Sequence, residues 1–127
     1  MYVAPAGEDP SCGEYDDAGI CLYYSISMCE LLTHSEKYHN KKIALGGYVR
    51  FTQEGNAIYA TKEHYVNRLV KDAVWIDVNG LDLGDNEDFR AGYAYIRGKY
   101  DRFDSGHFRI FSGSLKQIDF FEPIGKE

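Results

Sequence analysis

"YIRGKYDRFDSGHFRIFSGSLKQIDFF", Tyr95 to Phe121, sets five Phe and two Tyr among six basic or histidine side chains. Such a stretch suits a nucleic-acid platform, a catalytic loop or two strands of a small barrel. The tight-turn triplet "DSG" between two aromatic runs, "YAYIRGKYDRF" and "HFRIFSGSLKQIDFF", favours a long closing hairpin. The whole chain leans the same way. Its 127 residues match one domain with one core, and 11 Tyr with 7 Phe favour strands, where flat rings pack across a pleated surface.

Working outward from the hairpin, "KIALGGYVRFTQEGNAIYATKE" predicts a strand, a turn at "QEGN" and a return strand "AIYAT". Ile43, Leu45, Tyr48 and Phe51 are strand-like, and Gly46 and Gly47 shift their alternation midway, as a bulge would. "AVWIDV" predicts a third strand of this set, and "KEHYVNRLV" a short helix with Tyr65, Val66, Leu69 and Val70 on one side. "NGLDLGDNEDFRAG" reads as a loop or a weak turn of helix. Upstream, Ser27 and Glu30 have capping-box spacing, and Ile26 and Leu31 occupy staple positions, so a helix begins at Ser27 and ends near Tyr38. "ICLYYSI" is either a short strand or an extended lead-in.

These elements predict a β-rich, five-stranded OB-like Greek-key barrel with a short N-terminal helix and a second short helix between strands. Closing so few strands demands sharp coiling, which accounts for glycines at 46, 47, 98 and 113 in strand context. The expected division is an irregular acidic arm over residues 1–24 and the barrel domain over 25–127.

The stretches "LLTHSEKYHNKKIALGGYVRF", "AIYATKE", "AVWIDV" and the closing hairpin, about residues 25–121, together resemble a bacterial family of small OB-fold, tRNA-anti-like proteins. In that family a helix ends in a Pro-x-x-Tyr-x-Gly-Lys-type turn, and a Gly-His loop precedes the last strand. Here Ser35 stands at the proline position and Asn40 at the glycine position. The resemblance implies a fold, not an activity. Many of its members are envelope proteins or lipoproteins, while this chain as written shows neither signal nor lipobox and is expected in the cytoplasm, with the periplasm or envelope as the alternative.

Charge narrows the partner. Residues 1–36 contain seven carboxylates, Glu8 and Asp9 among them, and no Lys or Arg, whereas the rest is close to neutral within a net charge of −6. An acidic arm opposes a phosphate backbone and favours a basic protein partner. The expected contacts are Glu14, Asp16, Asp17, Asp82, Asp85, Glu87 and Asp88, with Tyr15, Tyr23 and Tyr24 as aromatic anchors. One version of such a partner-binding module is an immunity-type inhibitor that neutralises a bacterial toxin. A peptide- or glycan-binding envelope protein is a further alternative.

A single-stranded nucleic-acid-binding OB domain is the other class. It would stack bases on Tyr59, with Trp75 as a second candidate that reads better as core. Its phosphate contacts would be Arg50, Arg97, Lys99, Arg102 and Arg109.

Catalytic patterns fail on spacing. "IFSGSL" lacks a nucleophile elbow, so Ser112 and Ser114 read as outward strand positions. Cys29 and His34 turn to different helix faces. "GYAYIRGK" has the wrong glycine spacing for a phosphate loop, and "DLGDNED" lacks the glycine and closing Glu of a calcium loop. Asp101, Asp104 and His107 converge on one turn and read as turn-formers. No enzyme, cofactor or metal is expected. Cys12 and Cys21 form a disulfide if the compartment is oxidising, and Cys29 reads as a small buried hydrophobe.

Overall fold

A computed structural model describes residues 10–52, 55–106 and 109–124. Glu8, Asp9, two residues of the "QEGN" turn and His107 therefore lie outside the described residues. In chain order the elements are β1 (Cys12–Tyr15), β2 (Cys21–Ser25), α1 (Met28–Thr33), α2 (Ser35–Tyr38), β3 (Lys42–Phe51) and β4 (Asn56–Tyr59). They continue with α3 (Lys62–Val66), β5 (Ala73–Ile76), β6 (Ala91–Asp101) and β7 (Ser114–Pro123), with 3-10 turns at Val70–Asp72 and Gly84–Asn86.

Five of these strands close a barrel in the order β3–β4–β5–β7–β6, with β6 returning to β3. Only the β5–β7 pair is parallel, which is the OB-like arrangement. Alternation along each strand assigns the core. β3 sends Ile43, Leu45 and Val49 inward, and β6 sends Ala94, Ile96 and Tyr100. Ile58, Val74, Ile76 and Leu115 complete the interior. Burying each large aliphatic chain there contributes about 1.5–3 kcal/mol.

The Ser27 start is realised: the Ser27 hydroxyl accepts from the Glu30 N–H at 3.0 Å. The helical segment breaks at His34 into α1 and α2. Met28, Leu31 and Tyr38 enter the core, and the Tyr38 hydroxyl donates to Glu30 at 2.5 Å.

The arm expected to be irregular is in its described part a hairpin. Cys12 and Cys21 are bridged, and Asp16 accepts from the Ala18 and Ile20 N–H groups in the turn. β2 then adds to β3 in parallel, Tyr24 opposite Ile43, because β4 occupies only Tyr48–Phe51 of that edge. The ribbon is wet along most of its length, so it carries no apolar period for a sequence reading to detect.

The bulge is also displaced from its expected place. β3 pairs with β6 without a slip from Lys42 to Arg50, so Gly46 and Gly47 do not break the alternation. Tyr48 simply faces outward, into a second cluster with Ala57, Tyr59, Ala73, Ala91 and Phe111. The slip occurs in β7, where Gln117 takes φ 52° opposite Gly98. A Cβ on Gly98 would stand 2.7 Å from the Lys116 carbonyl oxygen, so the bulge needs glycine across from it.

Three further expectations are corrected. The second helix stops at Val66, and Val66 (62%) and Leu69 (42%) remain exposed, because Arg68 at φ 55° turns the chain away before an apolar face can dock. Cys29 is exposed, not buried, on the solvent side of α1. β7 begins at Ser114, not near His107, since it must reach across to pair in parallel with Trp75 on β5. Ser114 is consequently buried and donates to the Asp104 carbonyl at 2.8 Å, and Ser112 precedes the strand with its hydroxyl on the Lys71 carbonyl.

Candidate partner-binding site

The β4–β5 face of an OB-like barrel is where bases would stack. Here it is covered. Tyr59 is buried beneath Tyr65 of α3, ring centroids 5.4 Å apart, and burial raises its hydroxyl pKa. Trp75 lies on this outer face and not in the barrel core, half-buried against Phe111 at 5.5 Å. The β6–β7 loop seals it: Gly106, at φ 70°, sits so close that a Cβ would fall 2.6 Å from Trp75.

The five proposed phosphate contacts are not gathered on one surface. Arg50 lies over Tyr65 at 4.6 Å, while Arg97 pairs with Asp119 at 2.7 Å. Their β3 registers, Arg50 itself and Ala44 opposite Arg97, are six residues apart, about 20 Å of strand. Lys99 projects outward further along β6, and Arg102 and Arg109 belong to the exposed loop beyond it.

Asp101 and Asp104 form an ion cluster with Lys116. Lys116 donates to Asp101 at 3.1 Å and to Asp104 at 2.9 Å. The bond from Lys116, with the Gly106 N–H, holds Asp104 below its usual range, and burial works against a similar lowering at Asp101. Both carboxylates thus serve the turn. Among the described residues no group of three or more His, Cys, Asp or Glu is placed to hold a metal.

The acidic residues fall into two sets at opposite ends of the barrel. Glu14, Tyr15, Asp16 and Asp17 lie in the β1–β2 ribbon, whose turn runs out past the start of β3 because β2 is parallel to it. Tyr23 faces outward over Arg97 at 4.8 Å, and Tyr24 faces inward, edge-on to Tyr38 at 5.7 Å. Asp82, Asp85, Glu87 and Asp88 occupy the β5–β6 loop, at the end of β3 marked by Arg50 opposite Ala91. A ten-residue β3, about 33 Å long, separates the sets, so they do not form one surface.

At the second end the loop frames an apolar pocket of about 570 Å³. Its floor is a ring contact of Phe51 and Phe89 at 5.8 Å, backed by Phe121 at 5.0 Å from Phe89. Val78, Leu81 and Leu83 form the loop-side wall, and Thr52 and Asn56 the β3–β4 side. Thr52 fixes that turn by bonding both the N–H and carbonyl of Gly55. Asp82 accepts from the Gly84 N–H at 2.8 Å, and Arg90 donates to the Glu87 and Phe89 carbonyls at 3.0 and 2.9 Å.

The loop that supplies this wall is acidic, with five carboxylates and one arginine from Asp77 to Arg90, and Arg90 is the charged residue that lines the pocket itself. Sequence reasoning found the carboxylates and missed the pocket. The signal was present as Val78, Leu81 and Leu83, apolar residues in a polar loop with no strand or helix to serve. The arrangement offers an open, mostly apolar pocket beside an acidic loop.

No helix among the described residues is long and apolar enough to cross a membrane. Comparisons with protein-family models, with curated proteins and with solved structures found no match to this chain.

Proposed function

We propose that this chain is a non-enzymatic binding module for a basic protein partner, engaged at the open end of the barrel. The observation that carries the reading is the apolar pocket walled by the carboxylate-rich β5–β6 loop. Its volume, about 570 Å³, suits one large side chain with its neighbours, and the carboxylates of the adjoining loop favour lysine and arginine around that anchor. The carboxylates speed encounter, and the apolar walls set residence time. The covered β4–β5 face and the scattered arginines argue against the nucleic-acid reading. An immunity-type inhibitor of a bacterial toxin remains the concrete version of this function. The Cys12–Cys21 bridge supports an oxidising compartment, hence the envelope alternative for location.

The test is calorimetric titration of peptides carrying one Trp or Leu between lysines, beside the same peptides with glutamates. The lysine series binds and weakens with salt, and Leu83→Asp or the pair Asp85→Lys, Glu87→Lys lowers affinity by about tenfold or more. Equal binding of both series, or indifference to Leu83→Asp, removes the proposal. For the inhibitor version, if the gene immediately upstream encodes a toxin domain, co-expression with that domain restores growth, and Leu83→Asp cancels the rescue.

A further inference from the structure

Charges of opposite sign occupy different places around the Phe51–Phe89 pocket. Among the described residues its one charged lining side chain is Arg90; the rest are apolar but for Thr52 and Asn56. Asp82, Asp85, Glu87 and Asp88 belong to the adjoining loop and do not line it. A ligand that meets both must bring a negative group to the pocket and positive groups to the loop outside.

Arg90 is held in place for such a contact. Its carbonyl accepts from the Phe51 N–H at 2.8 Å, which ties residue 90 to β3 beside the pocket floor. Its Nη1 donates to the Glu87 and Phe89 carbonyls, so one corner of the guanidinium is pinned. Nε and Nη2 meet no acceptor among the described residues, and Arg90 forms no ion pair there. That free edge is a fork that takes a carboxylate through two parallel bonds. On the β3–β4 side the Thr52 hydroxyl is committed to Gly55. The Asn56 side chain has no such bond among the described residues, so its amide is a further donor.

The end of a basic protein chain has this chemistry. At a C-terminus the last side chain and the α-carboxylate share one Cα, so an apolar side chain set against Leu81, Leu83 and the two rings brings a carboxylate with it. An internal residue has a neutral amide in that place, which does not match the fork. Lysine or arginine a few residues upstream then meets the loop carboxylates. A pinned guanidinium loses little freedom in the contact.

Resting on the partner-binding reading, we infer that the pocket takes the C-terminal residue of a basic protein chain, its large apolar side chain on Phe51 and Phe89 and its α-carboxylate on Arg90.

Calorimetric titration of the full chain with acetyl-Lys-Ser-Lys-Ser-Leu as the free acid, beside the same peptide as its C-terminal amide, isolates that carboxylate. The acid is expected to bind about tenfold or more tightly, although the amide brings one more net positive charge to an acidic loop. Arg90→Gln weakens the acid alone and brings the two within about twofold. A general loss of loop structure would weaken both alike, so an equal loss overturns the inference. Comparison of acid with amide on the native chain needs no variant and decides even if Arg90→Gln fails to fold. Equal native binding of both, with Leu83→Asp weakening both, overturns the C-terminal assignment and leaves the partner-binding reading standing. Binding of neither peptide overturns the two together. If 4-methylpentanoate binds as tightly as the peptide acid, the occupant is a free apolar acid and the inference falls.

Discussion

Replacing Cys12 and Cys21 together by serine separates the order of the β1–β2 ribbon from that of the barrel. The bridge spans nine positions, and loop-closure entropy for that span contributes about 2.6 kcal/mol at 25 °C. The rest of the ribbon's support is thin. Its pairing shifts register twice, and it meets β3 through only two residue pairs, Tyr24–Ile43 and Ser25–Ala44. Tyr24 is its one side chain packed on the main core. A two-stranded ribbon of this length is marginal alone. The ribbon should therefore open as a unit while the barrel stays closed.

Native-state hydrogen exchange reads this directly. The Ser25 amide, bonded to the Ser11 carbonyl, and the Ile26 amide, bonded to Ala44, should exchange about eightyfold faster, which is 2.6 kcal/mol as a rate ratio. Amides of Leu45 and Ile96, in the β3–β6 ladder, should change by less than about threefold. Equal acceleration in both places would show one cooperative unit. No acceleration anywhere would show that the strands need no cross-link. Either result refutes the reasoning.

Gly106→Ala puts a methyl against Trp75 at a φ of 70°, so it should destabilise by about 1–3 kcal/mol and red-shift tryptophan emission as the loop lifts. Gly98→Ala, blocked by the Lys116 carbonyl, should cost a similar amount in urea unfolding without moving that emission. Tyr100→Phe removes a buried hydroxyl, pushed up to about 12, that donates to the Ser112 carbonyl at 2.7 Å; the loss should be about 1–2 kcal/mol. Asp101 and Asp104 are lowered below their ordinary 3.8, so their pairing with Lys116 stabilises the fold above that pH and is lost as pH falls through the lowered values. Lys116→Met should flatten the acid limb of stability against pH and cost no more than about 1 kcal/mol near neutrality, since the pairs are partly exposed.

Local chemistry was legible in the sequence wherever neighbours along the chain carry the interaction. The capping residues Ser27 and Glu30 marked the helix start, and the aromatic runs marked β3, β4, β5 and β6 and hence the barrel. What tertiary structure alone decided depends on groups distant in the chain. The bulge fell at Gln117 and not at Gly46, because the parallel β5–β7 pairing sets where β7 must slip. Trp75 faces outward under a loop some thirty residues later, which alternation within a four-residue strand cannot reveal. The acidic clusters parted to opposite ends because β2 runs parallel to β3, a matter of which strand edge was free. Composition could supply the carboxylates and the leucines of the β5–β6 loop. Only closure of the barrel could set Leu81 and Leu83 beside Phe51 and Phe89 at one of its ends.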